Sequence, residues 1–222
     1  MRAAAVIPAF RERERVGAVV AGARRHLPEG AVLVIDDGSA DGTAEAAERA
    51  GARVFRQAVN AGKGAALRRG YEEALAMGFD AVVFLDADGQ HDPASIPAFL
   101  HAAEEGGDLV LGTRMGAVGS MPPLRLWTNR FTSWVVSRLA GWRVTDSQCG
   151  YRLAHARLLL TLDLRGARYD AESEMVVKAG RRGFRIVEIP IETIYGGETS
   201  KIRPLVDSGR FVRMVWRSRK WR

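Results

Sequence analysis

The chain has 222 residues, 47% of them hydrophobic, and 33 Lys/Arg against 26 Asp/Glu give a net charge of +7. This length and balance suit one folded domain with a sizeable core and exclude a disordered chain. The single cysteine, Cys149, excludes an internal disulfide framework and fits a reducing cytoplasm, and no run of 18 apolar residues is present to span a membrane.

Residues 3–7 read as a first strand, because this apolar start is too short for a signal peptide. A helical pattern follows over 13–26, then a strand over 32–35, a helix over 41–50 and a strand over 53–55. The alternation continues with a helix over 63–77, a strand over 81–85, a helix over 94–105 and a strand over 109–111. Short apolar strands alternating with helices predict a mostly parallel α/β sheet covered on both faces. Ligands of such sheets sit beyond the carboxyl ends of the strands, where the loops 8–12, 36–39, 60–64 and 86–90 all fall. The second half is less regular: a helix over 121–142, a strand-like stretch over 148–153, a helix over 170–182, a strand over 185–189, a loop over 193–204 and a basic helix to the end. No repeat or linker separates the halves. They are expected to form one domain, 1–204, which includes the segment 121–142 and is followed by a basic amphipathic helix, 205–222.

The most informative stretch is Phe84-Leu85-Asp86-Ala87-Asp88-Gly89-Gln90. Along extended chain, side chains alternate with period 2, so Asp86, Asp88 and Gln90 are expected to point the same way. Three oxygen donors at a strand end suit Mg²⁺ or a similar hard cation, which takes one or two protein carboxylates and completes its shell with diphosphate and water. A calcium loop is excluded by spacing, since His91 stands where Gly is needed and Pro97 where Glu is needed. The turn Asp36-Asp37-Gly38-Ser39 follows another strand. Ser39 or Asp41 could cap the next helix, and two adjacent aspartates exceed what a cap needs, so one is available for a base and the other for a ribose. Asn60-Ala61-Gly62-Lys63-Gly64 opens a helix with glycines and a cation; it favours anions but is not a P-loop.

Ile7-Pro8-Ala9-Phe10-Arg11-Glu12 resembles the I-P-A-Y-N-E opening of family 2 glycosyltransferases, with Arg11 in place of the usual Asn. The Asp36–Ser39 turn, the Asn60–Gly64 segment and Asp86-Ala87-Asp88-Gly89-Gln90-His91 are similar to the same family in the same order. Gly112-Thr113-Arg114, Asp146-Ser147-Gln148-Cys149-Gly150-Tyr151-Arg152, and the segment from Tyr195 through Lys201 and Arg203 to Pro204 resemble its polyprenyl-phosphate branch, typified by dolichyl-phosphate mannose and glucose synthases. The resemblance implies a GT-A type fold and inverting transfer of a hexose from a nucleotide-diphosphate sugar, GDP-mannose or UDP-glucose, to a polyprenyl phosphate. It implies that Pro8, Phe10, Glu12, Asp36 and Asp37 hold the nucleoside and that Asp86, Asp88 and Gln90 surround Mg²⁺ or Mn²⁺ and the diphosphate. Arg114 and Lys201 would contact the acceptor phosphate or the donor diphosphate, and Lys63, Gln148 and Arg203 are further substrate-binding candidates. A polyprenyl phosphate is already anionic and needs little general-base help, whereas a soluble saccharide or alcohol acceptor, the alternative, would need a base. Asp146 is the candidate for that role, unless it is only a turn residue. Glu172 and Glu174 read as a solvated helix start, Arg152 as the partner of an internal carboxylate, and His91 as a loop residue beside the site.

All five tryptophans lie in two segments, Trp127, Trp134 and Trp142 in one and Trp216 and Trp221 in the other, each interleaved with arginine. That is the pattern of helices lying in a bilayer interface. The basic excess belongs to the same tail: residues 201–222 hold eight Lys/Arg and one Asp, and the other 200 residues carry 25 of each sign. At about 1 kcal/mol per basic residue, this suffices for reversible attachment to an anionic membrane surface. The expected location is cytoplasmic, peripherally attached to the inner face of the membrane. Nucleic acid is disfavoured because the charge is confined to one end and no binding motif accompanies it.

Overall fold

A computed structural model describes residues 1–115, 123–166, 170–192, 194, 204–219 and 221. The strands are β1 (Ala3–Ala9), β2 (Val32–Asp36), β3 (Arg53–Arg56), β4 (Ala81–Phe84), β5 (Leu109–Thr113), β6 (Arg152–His155) and β7 (Ile186–Pro190). They form one seven-stranded sheet in the order β3-β2-β1-β4-β6-β5-β7. The pairs β1–β2, β1–β4, β2–β3 and β5–β7 are parallel, and β6 runs antiparallel to both neighbours. Flanking the sheet are α1 (Val16–Arg24), α2 (Thr43–Arg49), α3 (Lys63–Ala76), α4 (Ile96–Glu104), α5 (Pro123–Ala140), α6 (Ala156–Thr161), α7 (Asp170–Arg181) and α8 (Pro204–Ser218).

The central strands are apolar apart from Asp36 at the end of β2, and their burial follows: every residue of β2 and β4 is buried, as are Ala3–Ile7 of β1. Helices on both faces leave no solvent side for a polar alternation. Helix α3 lies close on the sheet at Gly70, where an added Cβ would come within 2.2 Å of Val6 Cγ1. Connections from β1 lead to β2 on one side, whereas β4 lies on the other. The loops after β1 and β4 therefore diverge and open a crevice at the carboxyl ends, as the rule for such sheets requires.

Three sequence expectations need correction. Strand β4 ends at Phe84, and the chain turns at Ala87–Asp88 with Gly89 at φ 78°, so Asp86–Gln90 is not extended and strand alternation does not set its side-chain directions. The strand expected over 148–153 begins only at Arg152, because residues 148–151 follow an irregular path against the Asp86 loop. The short helix α6 was not foreseen; six residues are too few to show a helical period.

Helix α7 packs between α5 and α8. An added Cβ at its Gly180 would lie 2.4 Å from the Ala140 carbonyl of α5. In the last turn of α7, the Arg181 guanidinium donates to the Leu139 carbonyl (2.9 Å), the Trp221 carbonyl (3.0 Å) and the Ser218 carbonyl. One arginine thus gathers the carboxyl ends of two other helices, where positive charge is favoured. One turn earlier, Lys178 pairs with Glu174 at 2.6 Å and lies 4.8 Å from the centre of the Trp221 ring.

Candidate active site

The end of β1 is tied to the end of β2. Arg11 adopts a left-handed backbone (φ 57°), rare for a residue with a side chain, and its N–H donates to Ser39 Oγ at 3.0 Å. The Ser39 N–H in turn donates to Asp36 Oδ1 at 3.2 Å. Glu12 is buried; its N–H donates to Thr43 Oγ1, and its carboxylate meets Arg15 at 3.3 Å. Pro8 and Phe10 are half-buried beside it, and a cleft of about 310 Å³ opens along Arg11–Arg15 and Asp41. Neither Ser39 nor Asp41 is the cap of α2, a position that falls to Gly42, although Asp41 just before it accepts the Thr43 N–H at 3.1 Å. Asp37 is also buried, and both its oxygens face the next loop. Oδ1 accepts from the Ala61 N–H (2.7 Å) and Gln57 Nε2 (2.9 Å), and Oδ2 accepts from the Gly62 N–H (2.8 Å). The second aspartate of the pair therefore shapes the loop that delivers Lys63.

Lys63, the first residue of α3, reaches the turn after β4, where its ammonium lies 2.6 Å from Asp86 Oδ1 and 2.7 Å from Glu172 Oε1 of α7. Burial alone would lower the Lys63 pKa, but the two carboxylates outweigh it and hold the ammonium above the usual lysine range. Burial would likewise raise the Asp86 carboxyl, and Lys63 outweighs that and holds it below the usual range. Asp88 accepts the Gln90 N–H at 3.0 Å, the Gln90 carbonyl accepts the Ile194 N–H at 3.0 Å, and all three polar side chains of the turn are half-buried. This donor set fits a hard divalent cation, because carboxylate and amide oxygens are the ligands Mg²⁺ and Mn²⁺ take. Among the described residues no group of three or more His, Cys, Asp or Glu stands together. A neutral oxygen such as that of Gln90, with ligand oxygens, therefore has to complete any shell.

Glu172 and Glu174 are buried and not a solvated helix start: besides the Lys63 pair, Glu174 Oε2 accepts the Arg165 N–H at 3.0 Å. Arg152, fully buried, serves backbone rather than a carboxylate, donating to the carbonyls of Glu172 (2.9 Å) and Cys149. His91 is buried against Tyr151, and burial brings its imidazole pKa down to about 4. Burial also pushes the Cys149 thiol up to about 12, which removes it as a nucleophile.

On the other side of the crevice, after β5, Arg114 grips Asp146 in a two-pronged pair, Nε to Oδ2 at 2.7 Å and Nη2 to Oδ1 at 2.9 Å. Asp146 Oδ1 also accepts Asn129 Nδ2 of α5 at 2.9 Å, and the Asp146 and Thr145 N–H groups donate to Glu188 Oε1 of β7 at 3.3 and 2.8 Å. Burial would raise the Asp146 carboxyl, but Arg114 outweighs it and holds it low. A fully buried carboxylate so engaged is a poor proton acceptor and a good anchor for Arg114. Gln148 Nε2 points to Ser173 Oγ at 3.2 Å. Lys201 and Arg203 lie outside the described residues. Sequence reasoning missed Asn129 and Glu188, and it placed Glu172 in solvent. Only Asn129 left a signal: with Ser133 and Val136 it follows helical spacing, and all three are buried.

The opposite face of α5 carries Trp127, Phe131 and Trp134, exposed by 68, 49 and 58%, in a ladder of rings 5.8 and 6.3 Å apart. Exposed Arg130 and Arg138 flank it, and α8 adds exposed Val212 and Trp216 beside Arg213. Among the described residues no helix is long and apolar enough to cross a membrane.

Residues 4–162 match the model of a family described as Glycosyl transferase family 2. The chain is 34% identical over 205 residues to an undecaprenyl-phosphate mannosyltransferase of Micrococcus luteus, covering 86% of this chain and 83% of that one. It is 31% identical over 202 residues to a polyprenol monophosphomannose synthase of Mycolicibacterium smegmatis, covering 86% and 76%. Among solved structures, glucosyl-3-phosphoglycerate synthase of Mycobacterium tuberculosis, in complex with Mn²⁺, uridine diphosphate and phosphoglyceric acid, superposes with a TM-score of 0.74 at 23% identity, covering 98% and 76%. With the mostly parallel sheet and the crevice at its carboxyl edge, these matches establish an enzyme of GT-A type fold, and the chain belongs to glycosyl transferase family 2.

Proposed function

We propose that the protein transfers a hexose, mannose or glucose, from a nucleotide-diphosphate sugar to a polyprenyl phosphate at the cytoplasmic face of a membrane, with inversion at the anomeric carbon. The observation that carries this reading is the two-faced helix α5. Its buried Asn129 holds the Asp146–Arg114 pair, and its outer face presents the Trp127–Phe131–Trp134 ladder. A lipid phosphate needs both at once, a fixed cation for its headgroup and an aromatic, arginine-flanked surface toward the bilayer. The two relatives named for lipid-phosphate mannosyl transfer support the same acceptor class.

In this reading Pro8, Phe10, Glu12 and Asp36 receive the nucleoside, and Asp37 holds the loop that places Lys63. A divalent cation held by Asp86, Asp88 and Gln90 would offset the negative charge that grows on the leaving diphosphate. Arg114, oriented by Asp146, binds the acceptor phosphate, one oxygen of which forms the new bond to the anomeric carbon. The bond from that carbon to the diphosphate oxygen breaks on the opposite face, and the nucleoside diphosphate leaves with the electron pair. The nucleophile is already anionic, so no residue has to remove its proton, which agrees with Asp146 acting as an anchor and not as a base.

The test is a transfer assay with polyprenyl phosphate in vesicles containing anionic lipid, against the same assay without the lipid phosphate. Turnover only in its presence is the expected result, and equal turnover onto phosphoglycerate or another soluble acceptor would overturn the lipid assignment. Thermal stabilisation by a panel of nucleotide sugars with Mg²⁺ or Mn²⁺ identifies the donor.

A further inference from the structure

Resting on the donor-site reading, we propose that Glu172 is a positioning residue of that site: it holds the Lys63 ammonium against Asp86 and keeps the cluster electrostatically receptive to a divalent cation. The geometry sets Lys63 between two carboxylates. Lys63 Nζ sits 2.6 Å from Asp86 Oδ1 and 2.7 Å from Glu172 Oε1, and the Glu172 side chain is 4% exposed. The first turn of α7 is fixed to the sheet where Arg152 of β6 donates to the Glu172 carbonyl at 2.9 Å. Gly150 passes directly behind the pair; an added Cβ would lie 2.7 Å from Asp86 Oδ2 and 3.0 Å from Lys63 Nζ. The Gly150 backbone therefore bounds the pair on that side.

Charge decides what Glu172 contributes. Two cations, Lys63 and the buried Arg152, stand beside two carboxylates, Asp86 and Glu172, so the cluster is neutral overall. Removing the Glu172 charge leaves it at +1 beside the turn that carries Asp88 and Gln90. The Lys63 ammonium then has Asp86 as its remaining carboxylate in the cluster, and an arriving dication meets repulsion. Residues behind metal ligands commonly change metal affinity by about 10–100-fold when replaced.

The experiment measures Mn²⁺ binding by electron paramagnetic resonance in the presence of GDP or UDP, for the unaltered chain, Glu172→Gln, Glu172→Asp, Lys63→Met and the double variant Lys63→Met/Glu172→Gln. Glu172→Gln is expected to weaken Mn²⁺ on the order of tenfold, and Glu172→Asp, which keeps the charge, to restore most of it. In the Lys63→Met background Glu172→Gln should add little, because its effect passes through the ammonium. Circular dichroism confirms that each variant is folded. If Glu172→Gln does not fold, near-native Mn²⁺ affinity in Glu172→Asp with no further loss in Lys63→Met/Glu172→Gln relative to Lys63→Met carries the same decision. Unchanged Mn²⁺ affinity in Glu172→Gln, or an equal loss with and without Lys63, overturns the inference while the donor site stands. An unaltered chain that takes up no Mn²⁺ with either nucleotide overturns the inference and the donor-site reading together.

Discussion

Two buried aspartates at the carboxyl edge of one sheet are satisfied in opposite ways. Asp37, after β2, is held largely by backbone N–H groups from a loop some 25 residues on, whereas Asp146, before β6, is held by the side chains of Arg114 and Asn129. The first arrangement shapes a loop by filling backbone valences that burial would otherwise strand. The second stores a full positive charge at a fixed angle, with the desolvation of two ions offset by a two-pronged pair. The turn after β2 is thus held by conformation and the Arg114 side of the crevice by charge.

Loss of chemistry gives the largest effect. Asp88→Ala is expected to lower kcat on the order of 10³-fold with little change in melting temperature, and undiminished transfer would remove the cation assignment. Next in size, Arg114→Ala strands the buried Asp146 carboxylate and should cost about 3–5 kcal/mol in denaturant unfolding, alongside lost transfer. Asp37→Ala leaves two N–H groups short of an acceptor and should cost about 1–3 kcal/mol, with a raised donor KM. If the Asp37 variant proves the more damaging of the two in unfolding, the contrast between the two sides is wrong.

The contrast also has a pH signature. The folded Asp146 carboxyl sits below its ordinary value, so the stability it contributes is fully present above about pH 4 and is lost as pH falls through the lowered folded value. The gap in unfolding free energy between the unaltered chain and Asp146→Asn should therefore close on acidification and stay flat from pH 5 to 8. The smallest stability effect belongs to the surface: Trp127→Ala, at a site 68% exposed, should shift stability by no more than about 0.5 kcal/mol while reducing sedimentation with anionic vesicles. Unaltered vesicle binding in the triple variant Trp127→Ala/Phe131→Ala/Trp134→Ala would detach the ladder from the membrane.

The same division explains what could be read from residues alone. The β1, β2 and β4 side was legible because its strands are mostly apolar and its polar residues cluster in short loops, so Pro8–Glu12, Asp36–Ser39 and Asp86–Gln90 fell at strand ends. On the other side Arg114 and Asp146 were singled out by resemblance, but the residues that hold them were not, since these are far apart in the chain: Glu188 meets Thr145 across 43 positions and Asn129 meets Asp146 across 17. No periodicity announces such a pair. Glu172 and Glu174 were misread because acidic residues at a helix start ordinarily face water; tertiary packing buried them instead. The direction of Asp86, Asp88 and Gln90 could not follow from strand alternation once the strand had ended at Phe84.

Arg181 gives the fold a mechanical property. Its guanidinium fastens the carboxyl ends of α5 and α8 to the last turn of α7, and the first turn of the same α7 carries Glu172. A displacement of either helix end is therefore passed to a helix 12 residues long, roughly 18 Å, whose first turn carries the Glu172 that meets Lys63.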